Sequence, residues 1–245
     1  MAAADALAER IAAAGRRRPL ARSVLPEWAG KGTPRRAGHL AACLEAECEG
    51  RAAPKRASLP RRCALPQPKT FDGYGWGQTG WPEGFGRDDL LSLPSPEGHE
   101  GLVPVGDVGT GKTHMAEAPC ALACQRARPA RSFTASSLVM RLRNARDEGR
   151  PGRELAQIGR AELLVMDELG FLPPDADGAR PLLQVVSEAY ERQPVVLTTN
   201  LESSRWGSVL GDEQTAAAVI DRVVRHGRPL QSGGESYRVR HAPMQ

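Results

Sequence analysis

The segment Gly106-Asp107-Val108-Gly109-Thr110-Gly111-Lys112-Thr113 constrains this chain more than any other part of it. It follows a short apolar run, Gly101–Val105, and opens a stretch of helical composition. Three glycines between a strand and a helix allow turns closed to residues with a Cβ, so successive N–H groups can face one point. The dipole of the following helix acts at that same point. Such a loop holds an anion, and the spacing G-x-x-x-x-G-K-[ST] suits the phosphate tail of a nucleotide. Lys112 is then expected to reach the β- and γ-phosphates, and the Thr113 hydroxyl to ligate Mg²⁺. The expected nucleotide-binding set is Gly106, Asp107, Val108, Gly109, Thr110, Gly111, Lys112, Thr113 and His114.

From about residue 100 the chain alternates short apolar runs with helical stretches. The expected strands are Gly101–Val105, Arg131–Thr134, Leu163–Asp167 and Val195–Thr198, with a weaker fifth at Pro229–Gln231. Helices are expected over 112–127, 135–148, 152–159, 178–192 and 213–226. This alternation predicts an α/β fold, a parallel sheet covered by helices on both faces. The run LLVMDE ends in two carboxylates. Asp167, at the strand's C-terminal end, can hold Mg²⁺ through water, and Glu168 can orient or deprotonate an attacking water. The run VVLTTN ends in polar residues. If it lies beside the Asp167 strand, Asn200 would contact that water or the γ-phosphate; a turn cap by Thr199 or Asn200 is the other reading.

Ahead of this region the composition differs. Residues 1–69 hold 14 Lys/Arg against 6 Asp/Glu, whereas residues 70–245 hold 19 against 23. A basic arm on a mildly acidic domain points to a polyanionic partner such as DNA. Only Lys31, Lys55, Lys69 and Lys112 are lysines, so compositional bias toward arginine is an alternative source of that charge. Short helices are expected over 1–15 and 37–49, an Arg/Pro/Gly-rich linker over 16–36, and a basic, proline-punctuated stretch over 51–69. The Gly- and aromatic-rich stretch 70–86 is expected to form no regular element. Three regions follow: a basic, partly helical arm at 1–69, a connecting segment at 70–100 and a nucleotide-binding core at 101–245. No apolar run is long enough to span a bilayer, and charge interrupts the N-terminus before any signal-like core, so a cytoplasmic location is expected. The cysteines number five, an odd count that favours reduced thiols. His39, Cys43, Cys48 and Cys63 lack the spacing of a zinc knuckle.

The motifs GTGKTHMA, FTASSLV, DELGFLP, LTTN, WGSVLGD, AAAVIDRVVRH and GESYR, in this order, resemble those of the IstB-like ATP-binding proteins. These are AAA+ helper ATPases of insertion-sequence transposition, related to the DnaC helicase loaders and the DnaA initiators. The resemblance covers about residues 38–240. It implies a P-loop AAA+ core with a parallel five-stranded sheet and a small N-terminal helical region. It further implies binding and hydrolysis of Mg-ATP, assembly into a homo-oligomer on DNA, and presentation of that DNA to a transposase. Loading of a replicative helicase, or nucleotide-gated DNA binding with little turnover, are the alternatives. By the same resemblance Asn200 matches the sensor-1 position, and Arg222 falls where the clade carries an arginine that reaches the neighbouring subunit's γ-phosphate, with Arg225 as runner-up. An arginine in that position stabilises charge only after assembly. The clade's helices after the second strand line the DNA path. Arg141, Arg143, Arg146, Arg150, Arg153 and Arg160 fall there, as phosphate contacts or as a solvated face. Phe71, Tyr74 and Trp76 fall where the family's chain enters the core, as adenine neighbours or as packing.

Two prolines depart from the pattern. Pro104 lies inside the strand before the phosphate loop, and Pro119 inside the helix after it. Both remove a backbone donor, and a helix-interior proline costs about 3 kcal/mol. Low stability of the isolated chain is the expectation.

Overall fold

The computed structural model describes residues 6–7, 9–13, 24, 27, 31–65, 69–93, 101–169, 176–190, 192–199, 217, 221 and 227–234. The chain divides into two compact units, Met1–Ala57 and Ser58–Gln245. In the smaller unit Ile11, Ala37 and Ala41 are buried together, and Arg10 is paired with Glu45 at 2.8 Å. Helix α1, Pro34–Cys63, starts here. Pro34 takes the first helical position, where a missing N–H costs nothing, and Ala37 N–H donates to the Thr33 carbonyl. One 30-residue helix thus replaces the expected short helix at 37–49 and the irregular stretch after it. Arg51 pairs with Glu47 one turn away and Arg56 with Glu49. Proline 54 and proline 60 punctuate the helix without ending it.

The larger unit is built on a six-stranded sheet. Its strands are β1 (Thr79–Gly80), β2 (Gly101–Val105), β3 (Ala130–Thr134), β4 (Leu163–Asp167), β5 (Val195–Leu197) and β6 (Gly227–Ser232). They lie in the order β1-β6-β2-β5-β4-β3. The five expected strands are present and mutually parallel. The sixth, β1, pairs antiparallel with the end of β6, Thr79 opposite Ser232. It comes from the stretch expected to be irregular, which also forms a 3₁₀ turn at Trp76–Gln78.

Alternation explains why the sheet is covered on both faces. Along β4, Leu163 and Val165 join the cluster under helix α3 (Lys112–Gln125), while Leu164 and Met166 join the cluster under helices α4 (Ala135–Asp147) and α6 (Ala176–Tyr190). On β5, Val196 faces the first cluster and Val195 and Leu197 the second. Two shorter helices are also among the described residues, α2 (Arg87–Ser92) and α5 (Pro151–Ile158). Thr134 ends β3 and caps α4, its hydroxyl accepting from the Ser137 N–H at 3.1 Å.

Pro104 is buried in the centre of this sheet, between β6 and β5. Pairing of β2 with β6 runs over all five residues, but with β5 only at Leu102↔Val196. Pro119 is buried inside α3, which continues through it. Of the expected helix over 213–226 only Ala217 and Asp221 are among the described residues, and both are helical. Among the described residues no helix is long and apolar enough to cross a membrane.

Candidate nucleotide site

The phosphate loop connects the C-terminal end of β2 to the first turn of α3. Gly106 has φ +149°, and a Cβ there would press on the Ser232 carbonyl oxygen and lie 3.0 Å from the Thr110 hydroxyl. Only a residue without a side chain lets the loop leave the sheet this close to β6. Gly111, at φ +93°, is the residue before α3 and turns the chain into the helix. Between them the Thr110 hydroxyl donates to the Asp107 carbonyl at 2.7 Å, closing the loop.

Lys112 is 8% exposed. Its Nζ donates to the Gly106 and Asp107 carbonyls, both at 2.7 Å, so the ammonium lies against the loop it follows. Thr113 is half-buried in the first turn of α3. The His114 ring donates from Nε2 to the Thr70 carbonyl at 2.7 Å, since a carbonyl can only accept. His114 also meets Tyr74, ring centroids 5.0 Å apart, and the Tyr74 hydroxyl lies 3.6 Å from where a Cβ on Gly111 would be. Phe71, Tyr74 and Trp76 pack on one another and on the core under α3, with centroid distances of 4.8 to 6.0 Å. Burial raises the Tyr74 phenol's pKa, a hydrogen bond with Thr79 opposing it.

Asp167 and Glu168 stand at the end of β4, separated from β2 only by β5. Asp167 is 5% exposed. Its Oδ1 accepts from the Thr198 hydroxyl and from the Glu168 N–H at 3.1 Å. No donor among the described residues reaches Oδ2. Glu168 is exposed, with backbone in the left-handed region at φ +60°. Its N–H also donates to Thr198 Oγ1 at 3.0 Å. Thr198 was not singled out from the sequence, although a hydroxyl directly after three buried apolar residues was the available signal. Asn200, Arg222 and Arg225 lie outside the described residues.

The donor set suits Mg²⁺. The Thr113 hydroxyl and the Asp167 carboxylate would be hard oxygen ligands, and among the described residues no donor takes the second carboxylate oxygen. Among the described residues no group of three His, Cys, Asp or Glu side chains could hold a metal. Cys63 instead is buried against Cys120 and Cys124.

A cleft of about 760 Å³ opens beside Asp167, at the C-terminal end of β3. Thr134, Arg141, Arg150 and Arg153 are among its walls, and none of residues 106–113 is. Arg141 is held by Glu154 and lies 5.8 Å over the Phe133 ring. Arg150 is paired with Glu148, and Arg146 lies 3.9 Å from Asp147. Arg153 and Arg160 are exposed.

A glycine-bent phosphate loop after the first of five parallel strands, an acidic pair on the third and a polar end on the adjacent fourth define an AAA+ P-loop protein. The profile of the IstB-like ATP binding protein family matches residues 32–244, and the chain belongs to that family. The insertion sequence IS5376 ATP-binding protein of Geobacillus stearothermophilus is 34% identical over 204 residues, covering 82% of this chain and 80% of that protein. The insertion sequence IS21 ATP-binding protein of Pseudomonas aeruginosa is 31% identical, covering 82% and 76%. Among solved structures, the DnaC helicase loader superposes with a TM-score of 0.52 at 22% identity, covering 67% of this chain and 97% of that one. The replication initiator DnaA bound to AMPPCP and single-stranded DNA gives 0.50 at 17% identity, covering 60% and 44%. The chain is thus an IstB-like ATP-binding protein with a fold similar to those of DnaC and DnaA.

Proposed function

We propose that this protein is a Mg-ATP-hydrolysing regulator of transposition that assembles on DNA and presents it to a transposase. The reading rests on one observation: an intact phosphate loop and a hydrogen-bonded Asp167–Glu168–Thr198 group stand at the ends of neighbouring parallel strands. The amides of residues 106–113 and the Lys112 ammonium bind the phosphate tail, Lys112 exchanging loop carbonyls for phosphate oxygens. Thr113 and Asp167 hold Mg²⁺, which supplies neutralisation of the charge that builds on the phosphates. Glu168, exposed at the mouth of the site, orients the attacking water and takes its proton. Asn200 holds that water from the next strand. Arg222 of a neighbouring subunit completes the charge stabilisation, so turnover requires assembly.

Two of the relatives come from insertion sequences, which favours transposition as the setting. The exposed arginines on and beside α4 and α5 contact DNA phosphates, which set position rather than sequence. The match to 97% of the DnaC helicase loader chain supports helicase loading as the second reading. A steady-state ATPase assay with and without DNA tests the proposal. Wild-type protein is expected to turn over, faster on DNA, and Glu168→Gln to bind ATP without turnover. Wild-type protein that binds DNA in an ATP-dependent way with no turnover would make it a nucleotide-gated scaffold instead.

A further inference from the structure

Thr198 has no part in the reading of the sequence, yet the end of β4 is built around it. Its N–H donates to the Met166 carbonyl at 3.0 Å, and its carbonyl accepts from the Leu169 N–H at 3.1 Å. Its hydroxyl donates to Asp167 Oδ1 and accepts from the Glu168 N–H at 3.0 Å. A threonine hydroxyl has one hydrogen to give, and here it goes to the carboxylate. Thr198 is 2% exposed, so both side-chain bonds are shielded from water. Four bonds therefore link one residue to each of the residues 166 to 169.

Two features of the acidic pair need such a partner. Asp167 must present a particular oxygen, and the two bonds on Oδ1 leave Oδ2 as the open one. Glu168 has a left-handed backbone, which costs a residue with a Cβ energy unless its surroundings hold it there. The N–H that it turns inward in that conformation is the one Thr198 accepts.

We infer that Thr198 is a positioning residue of the nucleotide site, its hydroxyl setting both the Asp167 carboxylate for the metal and the Glu168 backbone for the attacking water. The inference rests on the Mg-ATPase reading above. Groups that hold a metal ligand in place typically affect metal affinity or activity about 10- to 100-fold.

The test uses the full chain as wild type, Thr198→Val and Thr198→Ser. Affinity for a fluorescent ATP analogue is measured with Mg²⁺ and with EDTA, and amide exchange is followed at Glu168 and Leu169. In Thr198→Val, which keeps the shape and loses the hydroxyl, the gain in affinity from Mg²⁺ is expected to fall about tenfold. The EDTA value should not change, and the Glu168 amide should exchange faster. Thr198→Ser should restore all three. Equal losses with and without Mg²⁺, unrescued by serine, would reduce Thr198 to a packing residue and overturn the proposal, as would wild-type behaviour of the valine protein. If the valine protein does not fold, the wild type still decides, because an unprotected Glu168 amide there overturns it. If wild type gains nothing from Mg²⁺, the ATPase reading fails by itself. Glu168 exchange, faster in valine and restored in serine, then still supports the role of Thr198, and unchanged exchange overturns it.

Discussion

At the scale of single residues, the site depends on positions where one chemical group is required. Gly106 is the clearest, because its conformation and the nearby Ser232 carbonyl both exclude a side chain. Gly106→Ala must move β6 or reshape the loop. A strained backbone of this kind costs about 1–3 kcal/mol, and every 1.4 kcal/mol taken from binding is tenfold in affinity. Isothermal titration with Mg-ATP should therefore show at least a several-fold weaker complex, and an unchanged Kd would mean the loop adapts freely. Lys112 behaves differently. Its Nζ donates to the Gly106 and Asp107 carbonyls, and Lys112→Ala is expected to weaken Mg-ATP binding in the same titration by losing a charge-assisted contact to phosphate.

At the scale of elements, the six arginines on and beside α4 and α5 do not share one role. Arg141 is engaged by Glu154 and the Phe133 ring and forms part of the structure. Arg153 and Arg160 are exposed on or just after α5. Replacing either by alanine should weaken DNA binding with little change in melting temperature, and should lower the slope of log K against log salt by about 0.9. Arg141→Ala should lower the melting temperature as well, because it leaves Glu154 without its cation in a partly buried setting. Equal effects of all three on stability would contradict this division. The prolines belong to the same scale. Both sit inside elements that form around them, so packing of β2 and α3 against the sheet outweighs the lost backbone donors.

For the whole molecule, those lost donors predict a marginal fold that its ligand supports. Mg-ATP at one hundred times its Kd should add about 2.7 kcal/mol. In a chain of this size that raises the melting temperature by roughly 5–10 °C in calorimetry. A high midpoint without nucleotide would refute the expectation of low stability. Alkaline pH should act in the opposite direction. Cys63, through its hydrogen bond with Cys120 and burial, Cys124, through its hydrogen bond with Cys63 and burial, and Tyr190, through burial, all titrate above their ordinary values. The folded state therefore holds protons that the unfolded state releases first. The stability they contribute is complete below the ordinary thiol value of about 8.5 and is lost as pH rises beyond it. Urea midpoints should fall from pH 8 to 10, and Tyr190→Phe should flatten the upper part of that decline.

The sequence alone was enough for the strands and the phosphate loop. Apolar runs of four or five residues, a glycine pattern and a lysine are local signals, written in consecutive residues, and the five parallel strands lie within a residue or two of where those signals placed them. What only the tertiary structure decided depends on residues far apart in the chain. The β1 strand has two residues and no pattern of its own, and it exists because β6 offers it an open edge. Helix α1 runs through prolines that local rules read as breaks. The hydroxyl of Thr198 finds Asp167 because strand order brings β5 beside β4, a neighbour relation that a separation of 31 positions in the sequence does not state. Local propensity is legible one residue at a time, whereas the partner of a side chain is settled only when the sheet closes.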